Sequence, residues 1–146
     1  MSDEASKRAS EQASQSGKPS PARAPVRTYR DLIVWQRSME LAEETFHATR
    51  SFPDDERWVL VTQMRRAANS VPSNIADGHA RQSRKDYLRF LRTARGSLVE
   101  LETEIELARR FGYLPDPARL FGLARECALM LQAMIRKLQA KGGGAA

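Results

Sequence analysis

One run constrains this chain more than any other. Tyr87, Leu91, Ala94, Leu98, Leu101, Ile105 and Ala108 recur at alternating intervals of four and three residues. That spacing returns a side chain to one face of a helix, whereas a strand needs alternation at every second residue. A regular apolar seam of this length must meet other helices. Ser83, with Asp86 three residues on, is a capping signal at its start. Gly112 stands where a helix end turns left-handed. The pattern predicts a helix over about 84–110.

Three more helices follow from the same reasoning. Thr28 and Asp31 form a capping box before Leu32, Trp35, Met39, Ala42 and Phe46, a stripe read as the core face of helix one, about 29–50. Pro53 ends it, because proline disfavours the α conformation in the residue before it. Asp54, Asp55 and Glu56 suit the N-terminus of helix two, about 54–77, whose stripe is Leu60, Val61, Met64, Ala68, Val71 and Ile75. Pro72 lies inside it, so a kink or break is expected near Ala68–Val71, and Gly78 is read as the stop. Asp116 caps helix four, about 117–140, with Pro117 in its first position and Leu120, Leu123, Cys127, Leu131, Met134 and Leu138 as its stripe. Four amphipathic helices with short links predict an all-α, up-down-up-down four-helix bundle over 28–141.

The ends differ in composition. Residues 1–27 are rich in Ser, Ala, Gln, Lys and Pro, with Val26 the first large apolar residue after Met1. They are expected to be a disordered tail, and 142–146 a flexible end. No apolar run is long enough to cross a membrane, and the reading is cytoplasmic. One cysteine and two histidines among 146 residues leave little material for a metal centre.

Charge is distributed unevenly. The formal net charge is +6. Between Thr28 and Glu56 three cations face seven acids. Between Arg57 and Arg95 nine cations face only Asp77 and Asp86, a net of +7. Helical phase turns Lys85, Arg89 and Arg92 away from the seam. Surfaces normally mix signs, and arginine binds phosphate bidentately, so the concentration points to a polyanion. The candidate nucleic-acid-binding residues are Arg65, Arg66, Arg81, Arg84, Lys85, Arg89 and Arg92. Such binding would rest on phosphate contacts and be largely independent of sequence.

Helix one carries a second regular row, Val34, Ser38, Leu41, Thr45 and Ala48, and helix four a smaller one in Gly122, Leu129 and Ala133. A protomer needs one buried stripe per helix, so these rows are expected at a subunit interface. Leu41→Glu is then expected to break the assembly. Trp35 and Trp58 are assigned to the core.

Motifs along the chain resemble a bacterial family, the four helix bundle proteins, also called S23 or 23S rRNA intervening-sequence-encoded proteins. Tyr29–Gln36 is similar to its L-x-V-W-Q opening, and Phe52-Pro53 precedes Glu56 as in the family. Gln63–Gly78 is similar to its R-R-A-x-x-S-I-P-x-N-I-A-E-G signature, and Phe90–Leu101 to its F-L-x-x-A-x-G-S-L-x-E-L segment. Asp77 replaces the usual glutamate, while Trp58 and Val59 stand where tyrosine and glycine are common. The resemblance implies a protomer that assembles into a ring, a homopentamer. It also implies kinship with the accessory variability determinant of diversity-generating retroelements, a pentamer that binds nucleic acid and a reverse transcriptase.

Catalytic readings are weak. Glu44 and His47 form a single Glu-x-x-His, where a di-iron bundle needs two plus further inward carboxylates. Ser97 lacks a nucleophile-elbow setting, Gly96 is read as permitting close helix approach, and Asn74 as serving backbone groups near Pro72. Cys127 falls on a core stripe. No catalytic residue, cofactor or metal is assigned. The expected function is non-enzymatic, ring-forming nucleic-acid binding; the alternative is a protein–protein interaction module.

Overall fold

A computed structural model describes residues 25–143. Most of the expected N-terminal tail, and residues 144–146, lie outside that range. Among the described residues are four α-helices: α1 Ile33–Thr49, α2 Leu60–Ala80, α3 Arg84–Arg110 and α4 Ala118–Gly143. Short 3-10 turns, Tyr29–Asp31 and Asp54–Glu56, precede α1 and α2. α1 packs on α2 and α4, and α3 packs on the same two, so the four helices stand at the corners of a square. Successive helices run antiparallel, which makes the fold an all-α, up-down-up-down four-helix bundle. No described helix is long and apolar enough to cross a membrane.

The expected caps form at three N-termini, one of them shifted, whereas Asp54–Glu56 make a 3-10 turn of their own and α2 begins only at Leu60, with no side-chain cap. Thr28 and Asp31 make their reciprocal box, but around the 3-10 turn, and α1 begins only at Ile33. Ser83 Oγ accepts from Asp86 N at 3.0 Å, and Asp116 Oδ1 accepts from Ala118 N at 3.2 Å. Gly112 has φ of 81°, and Tyr113 N reaches back to Ala108 O at 3.0 Å, closing α3 with a Schellman turn.

α2 contains Pro72 without a break, and the proline is buried on the inner face. Polar groups brace that stretch: Asn74 Nδ2 donates to Ser70 O at 2.7 Å, and the Ser70 and Ser97 hydroxyls are bonded at 2.8 Å across to α3. α2 also continues past Gly78. A Cβ there would lie 2.8 Å from Phe90 Cβ, so the missing side chain lets α3 approach rather than stopping α2. Gly96, by contrast, is exposed with no neighbour within 4 Å of its would-be Cβ, so the close approach falls at Ser70–Ser97 instead. At the other terminus, Gly142 and Gly143 belong to α4 rather than to a flexible end.

The largest correction concerns α1. Val34, Ser38, Leu41 and Thr45, expected at a subunit interface, are buried within the protomer, and Ala48 packs against the same core. Met39 and Phe46, expected in the core, are 44% and 46% exposed. The second row is the inner face of α1, while Leu32, Trp35 and Ala42 of the first pack at the core edge. Small hydroxyl residues can line the inner face because each bonds its own helix: Ser38 Oγ donates to Trp35 O, Thr45 Oγ1 to Leu41 O, and Thr49 Oγ1 to Thr45 O, at 2.7–2.8 Å. The hydroxyls are satisfied without water, and the short side chains let α1 settle closely on its neighbours. Trp58 is also corrected, being 79% exposed, whereas Trp35 packs on the core edge. The α4 residues Gly122, Leu129 and Ala133 are exposed on the surface of the protomer.

Candidate nucleic-acid interface

The antiparallel topology gathers four chain segments at one end of the bundle: the turn before α1, the end of α2, the start of α3 and the end of α4. Arg81, Arg84, Lys85, Arg89 and Arg92 all lie there or along the first turns of α3, and all are exposed. Lys85, Asp86, Arg89, Arg92 and Thr93 line a shallow open depression of about 530 Å³. The α2–α3 link holds this cluster in place: Gly78 admits Tyr87 and Phe90 against α2, and Ser83 fixes the first turn of α3.

Two predicted residues do not join the cluster. Arg65 lies across the α1–α2 seam, its Nε donating to Thr49 Oγ1 at 2.9 Å and its guanidinium stacked 4.4 Å from the Phe46 ring centroid. It clasps two helices together. Arg66 is exposed, but it precedes Arg81 by fifteen residues, about 22 Å along the helix axis.

Other cations do join. Lys137 and Lys141 are exposed on the last turns of α4, and the Arg84 guanidinium carbon comes within 3.6 Å of the would-be Cβ of Gly142. Arg27 and Arg30 flank Asp31, whose carboxyl is held below its usual range first by the Arg27 and Thr28 backbone N–H groups and also by nearby His79. Segment-by-segment charge counting missed these residues because they are distant in sequence. The antiparallel return of α4 was the signal that places them.

The cluster gathers like charges at one end of the bundle. Elsewhere several cations are paired with acids, while others, such as Arg50, Arg57, Arg66 and Arg125, show no ion pair among the described residues. Arg37 bonds Glu40 at 2.9 Å, Arg119 meets Glu44 at 3.0 Å, and Arg109 and Arg110 share Glu106, holding its carboxyl at about 2 through their hydrogen bonds. At the basic end, the described residues show one ion pair, Arg89 with Asp86 at 3.8 Å. Arg81, Arg84, Lys85, Arg92, Lys137 and Lys141 have none among the described residues. A set of unpaired like charges raises the local potential and holds a layer of counterions that a polyanion can displace.

The groups weighed for chemistry sit elsewhere. Glu44 is engaged with Arg119, and His47 is exposed, edge-on to Phe46 at 5.6 Å. Cys127 is buried, and burial pushes its thiol up to about 12, which keeps it protonated. Among the described residues, no three His, Cys, Asp or Glu side chains are grouped as a metal site would require.

Residues 30–133 match the family described as 23S rRNA-intervening sequence protein. The fold is similar to a solved protein of unknown function from the S23 ribosomal protein family of Bacteroides thetaiotaomicron. The two chains are 23% identical with a TM-score of 0.64, over 70% of this chain and 98% of that one. No curated protein is similar enough to match.

Proposed function

The chain belongs to the 23S rRNA-intervening sequence protein family, and from that premise we propose that it is a cytoplasmic, non-enzymatic, ring-forming bundle that binds nucleic acid through its basic end. The observation that carries the reading is the set of exposed, unpaired cations contributed by three helix ends. Binding there rests on phosphates and counterion release, so affinity falls linearly with salt on logarithmic axes and depends little on sequence. Replacing Arg84, Lys85 and Arg89 together by Glu should weaken binding to mixed-sequence RNA or DNA by about tenfold or more at low salt. Titration by fluorescence anisotropy across salt concentrations reads this directly. Unchanged affinity in the triple variant, or no binding by the wild type at low salt, rejects the reading.

Ring formation draws on two apolar surfaces. Met39 and Phe46 face outward on the α1–α2 side. Val99, Leu107 and Phe121 line a groove between α3 and α4. In a square bundle those sides are opposite. Contact between two different patches of one protein is heterologous, and its repetition closes a ring when the rotation allows. The ring we propose is a homopentamer, the assembly that the family resemblance implies. Light scattering should show an assembly that Met39→Glu dissociates into folded protomers. A monomeric wild type overturns the ring.

One observation favours a protein partner beside the nucleic acid. Trp58 and Val59 are 79% and 56% exposed at the opposite end of the bundle. Adjacent exposed apolar side chains of this size mark a contact surface. A reverse transcriptase or another protein bound there would leave the basic end open.

A further inference from the structure

We infer that the basic end takes a double helix rather than a single strand. The inference rests on the nucleic-acid reading above and narrows it. Single-stranded sites combine a cationic groove with aromatic faces on which unpaired bases stack. This end has aromatic residues, but each already has a cation or another side chain against it. Arg81 and Arg89 both stack on Phe90, at 4.7 and 4.8 Å from its centroid. Arg30 caps Tyr29 and Trp35 at 5.7 and 5.6 Å, and those two rings stand edge to face at 5.1 Å. Tyr87 is half-buried, its ring against the Gly78 backbone and His79. The most exposed aromatics, Trp58 and Phe111, are at the other end of the bundle. A base arriving here meets rings that already carry a guanidinium or a neighbouring side chain.

A phosphate finds the opposite. Stacking uses the face of a guanidinium and leaves its N–H edge free to donate. Phe90 therefore acts as a positioning residue for two arginines, Arg81 without an ion pair among the described residues and Arg89 with only the long 3.8 Å contact to Asp86, whose N–H edges can turn to phosphate oxygens. The surface shape agrees. It is a helix ridge with a shallow depression, not a channel that encloses a strand. Lys85, Arg89 and Arg92 span about 10 Å along α3, and Lys137 and Lys141 offer a second row on α4. Rows of fixed cations suit the two regular phosphate rows of a duplex, whereas a flexible strand must be ordered to meet them.

The test compares a short mixed-sequence RNA duplex, the matching DNA duplex and each isolated strand, with the full-length protein at one salt concentration. Duplexes should bind about tenfold or more tighter than their strands. Phe90→Leu should weaken duplex binding about threefold or more at unchanged net charge, and Phe90→Tyr, which keeps the ring, should restore it. Should Phe90→Leu lower the thermal midpoint, Arg81→Lys with Arg89→Lys provides a second arm. It keeps the charge, removes the stacked planar groups and should weaken duplex binding similarly. Strands that bind as tightly as duplexes overturn this inference and leave nucleic-acid binding standing. Binding to neither overturns the reading beneath it. Equal duplex affinity in Phe90→Leu and the double lysine variant removes the positioning role.

Discussion

Leu41→Glu should abolish the folded protomer itself, not only its assembly. Leu41 is fully buried near the middle of α1, in the row that sequence periodicity assigned to a subunit interface. Losing a buried leucine costs about 2–5 kcal/mol, and placing an unpartnered carboxyl in its stead adds a further penalty of several kcal/mol. Domains of this size are stable by only about 5–15 kcal/mol, so the sum removes most or all of it. The control is Met39→Glu, two residues away on the outer row. It should move the unfolding free energy by no more than about 1 kcal/mol while disrupting assembly. Urea titration followed by circular dichroism separates the cases. A cooperative, wild-type-like transition in Leu41→Glu would return that row to the interface.

The inner face of α1 shows where sequence reading reaches its limit. Periodicity finds helix faces but does not rank two equally regular ones. Size favoured the row with Trp35, Met39 and Phe46, and polarity argued against one containing Ser38 and Thr45. Neither property decides the matter, because a hydroxyl one turn from a carbonyl of its own helix is satisfied in the core. On α2 and α3 only one apolar stripe competed, and on α4 the second row was smaller; the residues assigned to the core on these helices are buried or packed at the core edge. Caps and turns at Ser83, Gly112 and Asp116 were legible because each rests on bonds within a few residues.

The basic end was half legible. The cations from Arg81 to Arg92 are contiguous in sequence, and helical phase alone turned them outward. Arg65 shared their composition but not their fate, since it clasps Phe46 and Thr49 on α1 across a seam that only tertiary packing creates. Lys137 and Lys141 were invisible to a linear count and follow once α4 is laid antiparallel to α3. Aromatic faces capped by arginine need coordinates, since spacing alone does not say which ring a guanidinium covers.

Glu104→Gln should stabilise the protein, and the gain should depend on pH. Glu104 flanks the α3 seam, 5% exposed, and its Oε2 has no hydrogen-bond partner. Burial, aided by the Glu100 carboxylate one turn back, pushes its carboxyl from the ordinary value of 4.5 up to about 7. The folded state therefore holds this proton more tightly than the unfolded chain does. Below about pH 4.5 both states are protonated and the residue imposes no ionisation penalty. As pH rises from 4.5 to 7 the unfolded chain ionises first, and the folded state loses stability until both are charged above about 7. The full penalty is at most about 3 kcal/mol. Glutamine keeps the shape, cannot ionise and can donate to Glu100. The difference between Glu104→Gln and wild type in urea should thus approach about 3 kcal/mol at pH 8 and shrink towards zero at pH 4. A difference that stays constant across that range would show that the Glu104 carboxylate is not desolvated in the folded protein.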